Sequence, residues 1–238
     1  MSEKLIIKTG STLPTLAEEQ GDFEDWIRRE LPDAADWRVV NVVAGEALPS
    51  PKHCAGVVIT GSPAMVSERA AWSETTAAWL RAAHAARVPL LGICYGHQLL
   101  ADALGGEVGY HPHGPEAGAV EVERLAAADA DPLLGALPAR FSANVIHWQT
   151  VLRLPPGAVA LAGNAFEPHQ AFRLGSAWGV QFHPEFDQRA MRRYLELLHD
   201  RLCAAGRDPQ ALLAQVRPTP EAAGLLARFA AGLVAAAA

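Results

Sequence analysis

Along the first two-thirds of the chain, short β-branched runs alternate with amphipathic stretches, the pattern of an α/β sheet with helices on its faces. Residues 4–9, 38–43 and 56–60 read as strands, the last continuously apolar and therefore central and buried. Asp22 is placed to cap a helix over 23–31, which Pro32 stops. The alanine-rich stretch 73–87 predicts a second helix, with Trp79, Leu80 and Ala83 helping to form its apolar face. A short buried strand follows at 88–93, then a helix over 97–104 that Gly105-Gly106 closes.

From Gly118 the texture changes. Residues 118–125, 140–147, 158–163, 169–174 and 177–182 are strand-like pieces joined by turn residues, a more antiparallel second half of the same sheet. Residues 187–204 and 207–216 return to helical patterning. In the tail Leu225, Leu226, Phe229 and Leu233 fall on one helical stripe, as core packing or partner binding requires. The whole, 1–238, reads as one domain, with a catalytic core over about 4–200 and a helical extension over about 207–238.

Composition changes this picture little. With 26 acids against 20 bases and no lysine/arginine stripe, the chain lacks the footprint of a nucleic-acid binder. No apolar run suits a membrane span or a signal-peptide core. Three widely spaced cysteines make no disulfide framework, so a cytoplasmic protein with reduced thiols is expected. His111 and His113 flank Pro112 with no further ligand cluster beside them, and neither a metal nor another cofactor is expected.

The chemistry concentrates at Gly92-Ile93-Cys94-Tyr95-Gly96-His97-Gln98, where a buried strand gives way to a helix. Glycines two residues to either side of Cys94 make it a nucleophile elbow with sulfur in place of serine oxygen. Flanking side chains would clash with the packed strand and helix, and glycine removes both clashes. At a helix N-terminus the macrodipole favours thiolate, and the Tyr95 N–H is placed to donate to an oxyanion. Cys54 and Cys203 lack any such frame. A thiol acyl-transfer site also needs a histidine and a group to orient it. Gln181-Phe182-His183-Pro184-Glu185 offers both, since residues two apart on an extended segment share a face.

Gly-Ile-Cys-Tyr-Gly-His-Gln, about ninety residues before Gln-Phe-His-Pro-Glu, resembles the class I (triad) glutamine amidotransferase family, most of all the glutaminase domain of GMP synthetase and its stand-alone relatives. The resemblance runs over roughly residues 4–200 and implies an open, mixed, largely parallel sheet flanked by helices, flavodoxin-like, with a nucleophile elbow. It implies Cys94, His183 and Glu185 as the triad, and the Gly61 and Tyr95 N–H groups as the oxyanion hole, Thr60-Gly61-Ser62-Pro63 resembling the family's oxyanion loop. Ser62, Gln98 and His147 are implied at the substrate, although residues 144–150 depart from the family's Ser-His-x-Asp pattern. Gly114–Gly118 resembles a segment beside the glutamine pocket. The expected activity is hydrolysis of the glutamine side-chain amide, with ammonia passed to a separate synthetase subunit. No P-loop accompanies the triad, and about 50 residues follow it, too few for a second domain. A γ-glutamyl hydrolase acting on a conjugate, a non-catalytic protein on a related fold, and a homodimer stay open.

Overall fold

In the computed structural model, which describes residues 2–237, nine strands form one sheet. Its parallel half holds β1 (Glu3–Lys8), β2 (Trp37–Asn41), β3 (Cys54–Ile59), β4 (Leu90–Ile93) and β11 (Ala177–Val180). Its antiparallel half holds β6 (Glu116–Arg124), β7 (Arg140–His147), β9 (Val159–Gly163) and β10 (Ala171–Leu174). The order across the sheet is β2-β1-β3-β4-β11-β10-β9-β6-β7. The expected mixed α/β architecture, parallel through its first half, is therefore present.

The central strands are buried on both faces, which accounts for their unbroken apolar runs. One face packs Leu80 and Ala83 of α3 (Ala71–Ala85) and Leu99 and Leu100 of α4 (Tyr95–Ala103) against Leu5, Val57 and Leu90. The other receives Ile27 of α2 (Phe23–Glu30) and Leu225, Leu226, Phe229 and Leu233 of α8 (Pro220–Ala237). The apolar stripe of the tail is thus core; a Cβ on Gly56 of β3 would overlap the Leu233 side chain. Asp22 caps α2 as the sequence predicts, its carboxylate accepting from the Phe23 N–H while Asp25 accepts from the Asp22 N–H. Among the described residues no helix is long and apolar enough to cross a membrane.

Three expectations need correction. Pro14–Gln20 is a helix, α1, started by Pro14. Residues 187–204 form two helices, α5 (Gln188–Leu197) and α6 (His199–Ala204), which part at Leu198. Glu107–Tyr110 (β5) and Gln149–Arg153 (β8) pair as a separate antiparallel ribbon. The helix α7 (Pro209–Gln215), by contrast, follows the expected span closely.

Candidate active site

The parallel strands share a register that brings their carboxyl ends together, where open α/β sheets bind ligands. Gly92 of β4 sits opposite Ile59 of β3 on one side and Gly179 of β11 on the other. Cys94 follows β4 directly, its N–H donating to the Val180 carbonyl at 2.9 Å. It caps α4 with φ 49° and ψ −100°, a positive φ that a non-glycine residue adopts at a cost of roughly 1–3 kcal/mol. A Cβ on Gly92 would overlap the Gly96 carbonyl, and one on Gly96 would lie 2.5 Å from the Ile59 carbonyl oxygen. Both glycines are therefore there for close approach, and the strained turn between them presents the thiol.

His183 reaches the same place by a different route from the one the sequence suggests. Strand β11 ends at Val180, and the His183 N–H donates to the Asn144 carbonyl of β7 at 2.8 Å. Pro184 and Glu185 then occupy the middle of a turn closed by the Phe186 N–H on the His183 carbonyl. The turn, and not an extended face, lets Nδ1 of His183 donate to Oε1 of Glu185 at 2.8 Å, with the two side chains only 3% and 0% exposed. Nε2 is left without a partner among the described residues. Phe186 stacks on the imidazole with ring centroids 4.0 Å apart, and Phe23 lies beyond at 6.3 Å.

Burial opposes charge on His183, but the Glu185 carboxylate and then Cys94 more than offset it and raise the imidazole to about 10. The ring is cationic at neutral pH. Gly61 completes the group: a Cβ there would lie 3.0 Å from His183 Cε1 and 3.8 Å from Cys94 Cβ. Among the described residues neither the Gly61 nor the Tyr95 N–H has an acceptor. Thr9 and Thr60 fix this loop beneath, the Thr9 hydroxyl donating to the Thr60 and Gly61 carbonyls.

The other expected residues are placed as follows. Cys94, Ser62, Gln98, His147 and His183 border one cavity of about 70 Å³. Ser62 accepts from the Ala64 N–H. The Gln98 amide donates to the Gln149 carbonyl at 2.7 Å and to Gln181 Oε1 at 2.8 Å. His147 bridges the Gln149 carbonyl and Glu116, whose carboxylate also accepts from Asn164 and Gln170. Gly114–Gly118 therefore stands behind His147 and does not border the cavity. His111 faces the Phe166 carbonyl and stacks on that ring. Trp148 and Arg201, which no motif marks, also border the cavity, with the guanidinium 3.8 Å from the Trp148 ring centroid.

The model of class-I glutamine amidotransferases matches residues 23–200. The chain belongs to that family. A GMP synthase [glutamine-hydrolyzing] of Aeropyrum pernix is 46% identical over 146 residues, covering 59% of this chain and 25% of that protein. One of the separate subunits of a GMP synthase [glutamine-hydrolyzing], from Ignicoccus hospitalis, is 44% identical over 99 residues, covering 41% of this chain and 50% of its own. The match thus spans a quarter to a half of the length of these relatives. A glutamine amidotransferase of Thermotoga maritima superposes with a TM-score of 0.77 at 25% identity, over 98% of this chain and 99% of that one. In this amidotransferase chain the elbow of β4 and the turn after β11 meet inside the matched span.

Proposed function

We propose that the chain hydrolyses the side-chain amide of glutamine through Cys94, His183 and Glu185 and releases ammonia for a separate acceptor. The observation that carries this reading is the convergence of Cys94, the His183–Glu185 pair and Gly61 on one cavity. The thiolate of Cys94 attacks the carboxamide carbon, and the C=O π electrons move to oxygen. The Gly61 and Tyr95 N–H groups hold that oxyanion, donors worth about 3–4 kcal/mol each in a water-excluded site. Imidazolium His183 gives its proton to the departing nitrogen; the C–N bond breaks, leaving ammonia and a γ-glutamyl thioester. Neutral His183 next takes a proton from water, whose oxygen displaces the thiolate and yields glutamate. Glu185 keeps Nδ1 protonated, so that Nε2 carries the transfers.

That the ammonia acceptor is a separate synthetase chain is supported by the Ignicoccus relative, whose name makes it one subunit of a GMP synthase. Replacing Cys94 with Ala should lower ammonia release from glutamine by roughly three orders of magnitude or more. The fold should stay intact by circular dichroism, because the thiol makes only a long 3.7 Å contact to the Ile146 carbonyl. Full activity in C94A rules the reading out.

A further inference from the structure

The walls of the cavity carry an uneven set of charges. Among the described residues that border it there is no Asp or Glu, and apart from the catalytic imidazole the one fixed charge is Arg201. The polar groups nearest to it are already engaged. Tyr95 and Tyr194 pair through their hydroxyls with Ser73 and Thr12 at 2.7 and 2.6 Å, and His147 spans two acceptors. Glu116, behind His147, accepts from three donors, and Glu185 faces His183.

Arg201 differs from all of these. It lies on α6, just beyond the break at Leu198 that turns this helix toward the cavity. Its guanidinium lies over the Trp148 ring, and Trp148 is itself fixed at the β7–β8 corner, its carbonyl accepting from the His111 N–H at 2.9 Å. No carboxylate pairs with Arg201 among the described residues. A planar fork of donors, stacked on an indole and lacking a counter-ion, matches a carboxylate better than any other head group.

We propose that Arg201 takes the α-carboxylate of the substrate, and that the site reads this group and not the α-ammonium. The substrate class is then a γ-carboxamide with a free α-carboxylate, its α-nitrogen either free or acylated. The inference rests on the hydrolase reading above and adds the head-group selectivity. An ammonium inside this cavity finds no anion to face it, so neutralising that nitrogen by acylation removes nothing the protein binds. Removing the carboxylate leaves Arg201 without its partner.

Steady-state kinetics on the full chain separate these groups, with three substrates: glutamine, its α-carboxamide glutaminamide, and N-acetylglutamine. For the native protein, kcat/KM for glutaminamide should fall about tenfold or more below glutamine, mainly through KM, as for a lost charge-assisted hydrogen bond. N-acetylglutamine should stay within about threefold of glutamine, since no counter-charge is lost. Arg201→Met should cost glutamine about the same factor as removing its carboxylate, and should treat glutamine and glutaminamide alike. A native KM for glutamine in R201M overturns the proposal, as does continued discrimination by that variant, or a penalty for N-acetylation exceeding that for carboxylate loss. Alkylation of Cys94 by iodoacetamide, run in parallel, separates the two readings. A chain that turns over γ-amides but ignores Arg201 loses this inference alone. One whose Cys94 alkylates yet which turns over none of the three loses the selectivity claim and, with it, free glutamine-type amides as substrates. One that neither alkylates nor turns over loses both readings.

Discussion

At the scale of single residues, the behaviour of His183 turns on its neighbours. Its imidazole is raised from about 6.5 to about 10 against the effect of burial, with Glu185 the largest favourable cause. Replacing Glu185 with Gln keeps the shape and removes the charge, so the imidazole must fall. The alkaline limb of the kcat/KM–pH profile should move to lower pH by roughly a unit or more, with kcat reduced by roughly 10²–10⁴-fold. The same shift links to stability. A folded pKa above the unfolded one gives stabilisation that is complete below about pH 6.5 and lost as pH rises toward 10. Denaturation midpoints of the native protein should therefore decline across that window relative to E185Q. Cys94, His183 and Glu185 were legible in the sequence because glycine spacing and a His-Pro-Glu step leave local marks. Trp148 and Arg201 leave none: they are 53 positions apart, and only the packing of α6 on the β7–β8 corner joins them.

At the scale of elements, α2 is held by charge as well as by its cap. The ammonium of Lys8, at the end of β1, lies 2.7 Å from Asp22 and 2.5 Å from Glu24, and all three side chains are largely buried. Although burial pushes Asp22 upward, hydrogen bonds from Lys8, Thr12 and Phe23 more than offset it and hold the carboxyl below its ordinary range. Asp22→Asn preserves a good capping residue and removes the charge. It should cost about 1–3 kcal/mol at neutral pH by urea denaturation. Because the folded pKa is depressed, the native protein's advantage should be present above about pH 4 and vanish as pH falls through the folded value. Strong periodicity made most elements readable, and β7 runs over the expected residues. The failures share one cause. Helix α1, the β5–β8 ribbon and the break at Leu198 lie where segments are seven residues or shorter, or where a helical stripe continues across a bend. In such places tertiary contacts outweigh local preference.

For the whole molecule, the question is whether the C-terminal helix is an appendage. Leu225, Leu226 and Phe229 are at most 4% exposed and belong to the same core as Ile6, Val58 and Val122. Each such side chain is worth roughly 2–5 kcal/mol, against a total stability of roughly 5–15 kcal/mol for a protein of ordinary stability. A chain cut before Pro220 should accordingly lose its cooperative thermal transition, with aggregation on expression. A sharp transition in the truncated chain, seen by calorimetry, would show that the sheet stands without α8. The sequence stripe announced a buried face; what it could not announce was the surface buried beneath it, because Gly56 and Leu233 meet only once the chain has folded.

The register of Gly92 against Gly179 bears on which insertions and deletions this lineage can absorb. One codon gained or lost within β4 or β11 would slide one strand past the other by a residue and turn every side chain beyond it to the opposite face. The thiol and the imidazole would then leave on different sides of the sheet. The same codon added to the surface stretch between β2 and β3 would move neither, so length variation among functioning relatives belongs in such connections and not in the two strands that deliver the chemistry.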